Sequence, residues 1–204
     1  RVYGERNRLV CLQEGTDMRS LRSDIERYYE IAGNRKPITG LRVLAACFNP
    51  RLVPNVFLRL SGFFYRHRMG VLAKFFAMLN VLFFGIEVSP RVEIGGGLFL
   101  PHTVGTVIGA ERIGCNVTIL QGVTLGTKEP DMQFTVSLRP VIGDHVLIGA
   151  GAKIIGRVTV GDYAKIGANA VILDDVPPHA VAAGAAAKVM VSLQRGPQDE
   201  SNIG

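Results

Sequence analysis

Residues 141–176 read VIGDHVLIGAGAKIIGRVTVGDYAKIGANAVILDDV, and this stretch decides the architecture. Ile142, Ile148, Ile154, Val160, Ile166 and Ile172 recur every six residues, and four places after each stands Val146, Ala152, Val158, Ala164, Ala170 or Val176. Ile, Leu and Val make up 57 of the 204 residues, so six consecutive hits in the first register alone have a chance of about one in two thousand. A period of six is neither the 3.6 of a helix nor the 2 of an isolated strand. It predicts a solenoid in which each hexapeptide supplies one short strand and a corner, with the aliphatic residue inward and the small residue beside it. Gly often follows the aliphatic residue and suits a bend that needs positive φ.

Outward from this block the pattern continues. Val88, Ile94 and Leu100 share its phase, with Val92, Leu98 and Val104 as the second register, and a one-residue slip precedes Val107, Ile113 and Ile119. The segment 126–139 (GTKEPDMQFTVSLR) breaks the period and predicts a loop projecting from one coil edge. Upstream the period vanishes and helices are expected: one over LRSDIERYYEIAG capped by Ser20 and stopped by Gly33, then Leu41 to Phe48, Val56 to His67, and Met69 to Phe84. The last run is short for a bilayer span, which needs about 20 residues.

Charge divides along the same line. The net charge of +6 comes from residues 31–86, which hold eight basic residues, no Asp or Glu, and eight of the ten Phe. Residues 87–204 carry nine basic and eleven acidic groups. The basic, Phe-rich segment is expected either to pack as a bundle on the solenoid or a neighbouring subunit, or to rest on an anionic membrane face. No nucleic-acid motif accompanies the charge, so nucleic acid is not an expected partner. An apolar content of 48% excludes a disordered chain, and Gly plus Pro without a Gly-X-Y period excludes a collagen. Cys11, Cys47 and Cys115 are odd in number and widely spaced, which argues against a disulfide framework and gives no Cys-x-x-Cys metal site. With no signal-peptide pattern, the expected location is cytoplasmic, with peripheral contact at the inner face of the membrane through residues 31–86.

The stretch GLFLPHTVGTVIGAERIGCNVTILQGVTLGT (97–127) together with RPVIGDHVLIGAGAKIIGRVTVGDYAKIGANAVILDDVPPHAVAAGAAAKVM (139–190) resembles the serine acetyltransferase family of hexapeptide-repeat acyltransferases. The likeness is strongest in VTILQGVTLG, IGAGAKI and VPPH, and extends weakly to LRSDIERYY. The resemblance implies a mainly β fold, a left-handed parallel β-helix behind an N-terminal α-helical domain. It further implies a homotrimer, with pairing of trimers open, active sites between subunits, and transfer of acetyl from acetyl-CoA to an acceptor hydroxyl without a metal. The expected organisation is a helical domain over 1–86, an acyltransferase β-helix over 87–191 with its projecting loop at 126–139, and a tail over 192–204.

Such a transfer needs a base for the hydroxyl proton and donors for the tetrahedral oxyanion. An imidazole, with a reference pKa of about 6.5, suits the first task. Of His67, His102, His145 and His179, only His102, in LPHTVG, matches the family's catalytic base. The others read as solvated or structural, and three convincing His ligands for a metal are lacking. The match further implies CoA contacts at Gly126, Thr127, Ala150, Ala168 and Lys188, while Gln121 is expected at the acceptor side as an amide donor facing the thioester. Three departures stand beside it. Pro101 replaces the family's Asp before the base, Leu138-Arg139 replaces its Arg-His pair, and residues 31–86 offer no acid for the serine amine. Together they lead to the expectation of a sugar, polysaccharide or lipid-linked saccharide acceptor contacted by Arg139, closer to the O-acetyltransferases of polysaccharide biosynthesis. The alternatives are a serine O-acetyltransferase of cysteine biosynthesis with an altered acceptor site, and a non-enzymatic β-solenoid scaffold.

Overall fold

The computed structural model describes residues 18–34 and 39–184. Ile148 lies opposite Ile166, Ile142 opposite Val160, and Ile154 opposite Ile172, each eighteen residues on. Three hexapeptides therefore make one coil, and successive strands pass through three sheets in turn. The first sheet holds β1 (Ile86–Val88), β3 (Thr106–Ile108), β6 (Thr124–Gly126), β9 (Lys153–Ile155) and β12 (Val171–Ile172). The second holds β2 (Glu93–Ile94), β4 (Arg112–Ile113), β7 (Val141–Ile142) and β10 (Thr159–Val160). The third holds β5 (Thr118–Ile119), β8 (Leu147–Ile148), β11 (Lys165–Ile166) and β13 (Val181–Ala182). Every pairing is parallel, as the left-handed parallel β-helix requires.

The six-residue register is the core. Ile142, Ile148, Ile154 and Val160 are fully buried, with Ala152, Ala164 and Ala170 beside them. β-branched side chains suit such short strands because they fill the pleat with few rotamers to lose. Most corners along two of the three edges turn on a left-handed residue. Along one edge these are Gly105, Gly122 and Gly151, with φ of 74°, 71° and 73°, then Asn169 at 56°. A Cβ on Gly151 would sit 2.0 Å from Asn169 Oδ1, so space as well as φ demands glycine there.

Several coils depart from eighteen, the last described one holding sixteen from Lys165 to Val181. Ile113 and Ile142 are paired although twenty-nine residues apart, so the coil carrying segment 126–139 holds eleven extra residues. Phe99 pairs with Thr118 and Ile108 with Leu125, so nine residues span the first corner where seven span the next. The slip is larger than the one residue expected, because Ile108 and not Val107 points inward; the corner is two residues longer than its neighbour, and it carries His102.

The helical part comprises α1 (Met18–Ile31), α2 (Gly40–Ala46), α3 (Val53–Arg66) and α4 (Gly70–Phe84). The helix at α1 already runs at Met18, so Ser20 is buried inside it and does not cap it. Gly85, at φ 60°, ends α4 and turns the chain into β1. Phe57, Phe64, Phe76 and Phe84 form ring contacts between α3 and α4 at 5.5–6.1 Å. Cys115 is disulfide-bonded, against the expectation from the odd cysteine count, and Cys47 is a free thiol.

The helices close the N-terminal end of the solenoid through a buried polar joint. Asp24 accepts from Arg59 Nε at 3.0 Å, Arg59 Nη2 at 2.9 Å, Asn55 Nδ2 at 3.1 Å and Leu98 N at 2.8 Å. Arg59 also donates to the carbonyls of Ile94 and Gly95, both at 2.7 Å. Arg27 reaches the Gly97 and Val117 carbonyls and Thr118 Oγ1. The run Gly95-Gly96-Gly97 makes room, since a Cβ on Gly96 would lie 3.0 Å from Ser23 Cβ of α1.

Candidate active site

His102 stands exposed on the long corner between the third sheet and the first. The corner is pinned at its far side. Thr103 Oγ1 donates to Phe84 O at 2.8 Å, Gly105 N donates to Gly85 O at 2.9 Å, and Gly122 N donates to Val104 O at 3.1 Å. The imidazole is thereby held outward on a braced turn, where it is open to a proton-bearing acceptor.

The same edge carries three further expected residues. Gly151 N donates to Gln121 O and Asn169 N to Ala150 O, both at 2.8 Å, which stacks the corners of Gln121, Ala150 and Ala168 below that of His102. Gln121 and Ala168 are exposed and Ala150 is half-buried. The edge is kept low by close packing, because a Cβ on Gly149 would lie 2.6 Å from Ala168 N. A long flexible chain can lie against such a rim of small side chains and backbone.

Gly126 and Thr127 lie elsewhere. They end β6 at the base of the projecting loop, four to five residues from the Gly122 corner, or about 13–17 Å across the first sheet at 3.3 Å per residue. Gly126 O accepts from Gly156 N, and Thr127 Oγ1 donates to Glu129 O. Lys188 lies outside the described residues.

Arg139 requires a correction. It was expected at the acceptor, yet it is buried and spends its guanidinium on the loop's own architecture. Its Nη1 donates to Gly109 O at 2.8 Å, its Nη2 to Asp131 Oδ2 at 2.9 Å, and its plane lies 3.8 Å from the Phe134 ring centroid. Partial desolvation pushes the Asp131 carboxyl up, but the backbone donors of Thr135 and Gln133 and the Arg139 guanidinium outweigh it and hold it below the ordinary carboxylate range. A depressed folded value means the anchor is present at neutral pH and is lost only as acid carries the pH below that range. Arg139→Met is expected to speed proteolytic cleavage within 126–139 about tenfold or more, since hydrogen bonds to charged groups contribute ~1.5–3 kcal/mol. The melting temperature of the solenoid should move little.

The remaining histidines are placed away from this edge. His145 and His179 stack on either side of Tyr163, with centroids at 4.6 and 5.0 Å, on the corner between the second and third sheets. His67 lies against Phe63 at the end of α3. Glu87 is exposed at the outward position of β1, opposite Val107. The backbone of Phe84 and Gly85, just before it, holds the His102 corner. Among the described residues no group of three or more metal-type side chains forms.

Residues 139–174 match the bacterial transferase hexapeptide family (six repeats). The serine acetyltransferase of Helicobacter pylori strain J99 is 42% identical over 133 residues, covering 65% of this chain and 76% of that protein. The chain belongs to the serine acetyltransferase family. The Staphylococcus xylosus serine acetyltransferase is also 42% identical, over 127 residues, and the match spans 62% of this chain and 57% of that longer protein. In three dimensions the serine acetyltransferase of Neisseria gonorrhoeae, solved in complex with serine, superposes with a TM-score of 0.68 and 32% identity over 84% of this chain and 68% of that one. The likeness in structure therefore reaches beyond the repeats into the helices.

These relatives overturn the expected sugar or polysaccharide acceptor and the closer kinship with polysaccharide-biosynthesis enzymes. The departures that suggested them were weighed as one set, and the structure separates them. Arg139 is a loop anchor in this serine acetyltransferase family member, so its replacement of an Arg-His pair does not describe a sugar contact.

Proposed function

We propose that the chain is an acetyl-CoA-dependent serine O-acetyltransferase with an altered acceptor site, working as a homotrimer. The observation that carries this reading is the 42% identity to a serine acetyltransferase along 76% of that protein's length, joined to an exposed imidazole on a braced corner. His102 takes the proton from the serine hydroxyl as its oxygen attacks the thioester carbonyl. The tetrahedral intermediate collapses with loss of the thiolate, which receives the proton, giving O-acetylserine and free CoA. Gln121 faces the thioester, and the rim of Ala150 and Ala168 guides the pantetheine, with Lys188 toward a phosphate.

Gly126 and Thr127 belong to this site through the neighbouring subunit. They and His102 sit at opposite margins of one sheet, and a trimer whose margins abut supplies one from each protomer. This arrangement makes activity dependent on assembly.

The test is continuous measurement of thiol release from acetyl-CoA with and without L-serine, with mass detection of the acetylated product. Serine-dependent release of one thiol per O-acetylserine is expected. Equal release with and without serine overturns the reading.

A further inference from the structure

We propose that α4 is a membrane-surface element, laying its outer face on lipid that bears anionic headgroups. Val71, Phe75, Met78 and Leu82 are 84%, 46%, 49% and 67% exposed. Their spacing of four, three and four places them on one stripe, while Ala73 and Asn80 bury the opposite face. Phe83, 71% exposed, widens the stripe at its end. An apolar band of this kind is costly to leave in water. At 15 residues α4 is about 22 Å long, and among the described residues no helix is long and apolar enough to cross a membrane. Its geometry suits lying in the interface, apolar side down.

The charge pattern selects the occupant. Lys74 lies on the flank of the stripe and Arg68 at the turn that leads into it, both exposed. From residue 31 to 86 the sequence contains no Asp or Glu to balance them. A second copy seated face to face by a two-fold would bring these like charges together. Anionic headgroups instead neutralise the flank while the acyl boundary receives the stripe. The same helix ends at Phe84, whose carbonyl holds Thr103 Oγ1. Seating α4 thus fixes how the His102 corner faces the lipid. The proposal is independent of which hydroxyl is acetylated.

Co-sedimentation of the full chain with phosphatidylcholine vesicles, and with an equal mixture of phosphatidylcholine and phosphatidylglycerol, tests it. Binding is expected to the mixed vesicles, weakening as salt is raised. The pair Phe75→Ser and Leu82→Ser should cut that binding about tenfold or more. The pair Arg68→Asn and Lys74→Gln should abolish the preference for anionic vesicles, with a loss of about tenfold; Asn tolerates the positive φ at residue 68. Circular dichroism should be unchanged in both, since the four side chains are exposed. No sedimentation with either vesicle, or equal sedimentation with both, overturns the proposal. So does light scattering in which the Ser pair breaks a larger assembly while the wild-type chain ignores vesicles, because a second copy then covers the stripe.

Discussion

His102→Ala is expected to lower serine-dependent CoA release at least ~100-fold, in line with the 10²–10⁴ contributed by a positioned general base. The side chain is exposed and its corner is held by the backbone and Thr103. Its removal should therefore leave the melting temperature within experimental error, and the rate loss cannot be attributed to unfolding. The loss should appear in kcat and in kcat/KM together, because a base acts in the transition state and contributes little to holding the substrate. A near-wild-type rate in His102→Ala rejects the base assignment.

Asp24→Ala should be the most destabilising single change in the helical domain, costing about 3–5 kcal/mol. Asp24 is 1% exposed and Arg59 fully buried, with the two ionised groups 2.9 Å apart. Removing the carboxylate leaves a buried guanidinium without a counter-charge, and also orphans the Leu98 amide that Asp24 accepts from. The damage is local to the joint. Denaturation is expected to split into an early transition of the helices and a later one of the solenoid, with fast hydrogen exchange at 95–98 in the first. Replacing both partners, Asp24→Leu with Arg59→Met, should recover most of the loss, because paired apolar residues avoid the desolvation that the ion pair carries. A loss below about 1 kcal/mol, the range of exposed pairs, would place the joint's stability elsewhere.

The solenoid was legible because six-residue spacing is a local property. Ile142 and Ile148 announce their role through neighbours within one coil, and the coil length follows from three such steps. Helix positions were legible too, within a few residues, from apolar runs and from Gly33. The joint was not. Asp24 and Arg59 are thirty-five residues apart and read as two ordinary surface charges until the fold brings them together. Arg139 misled for a similar reason. Beside Pro140 at a loop end it invites comparison with a substrate-binding pair, and only the placement of Asp131, Phe134 and Gly109 shows Nη1 and Nη2 already engaged. Ala150 and Ala168 came from the family resemblance, and the stacking of their corners with that of Gln121 on the His102 edge is seen only in the fold.

The long corner at His102 separates chemistry from architecture. Its two surplus residues sit outside the stacked register, between Leu100 and Thr106, while the buried ladder continues on either side. Shortening it to the span of the next corner would leave every inward residue in place and restore an ordinary turn. The reactive group is therefore an appendix to a self-sufficient stack, and a chain of this kind could lose or acquire catalysis through a change of two residues without renegotiating its fold.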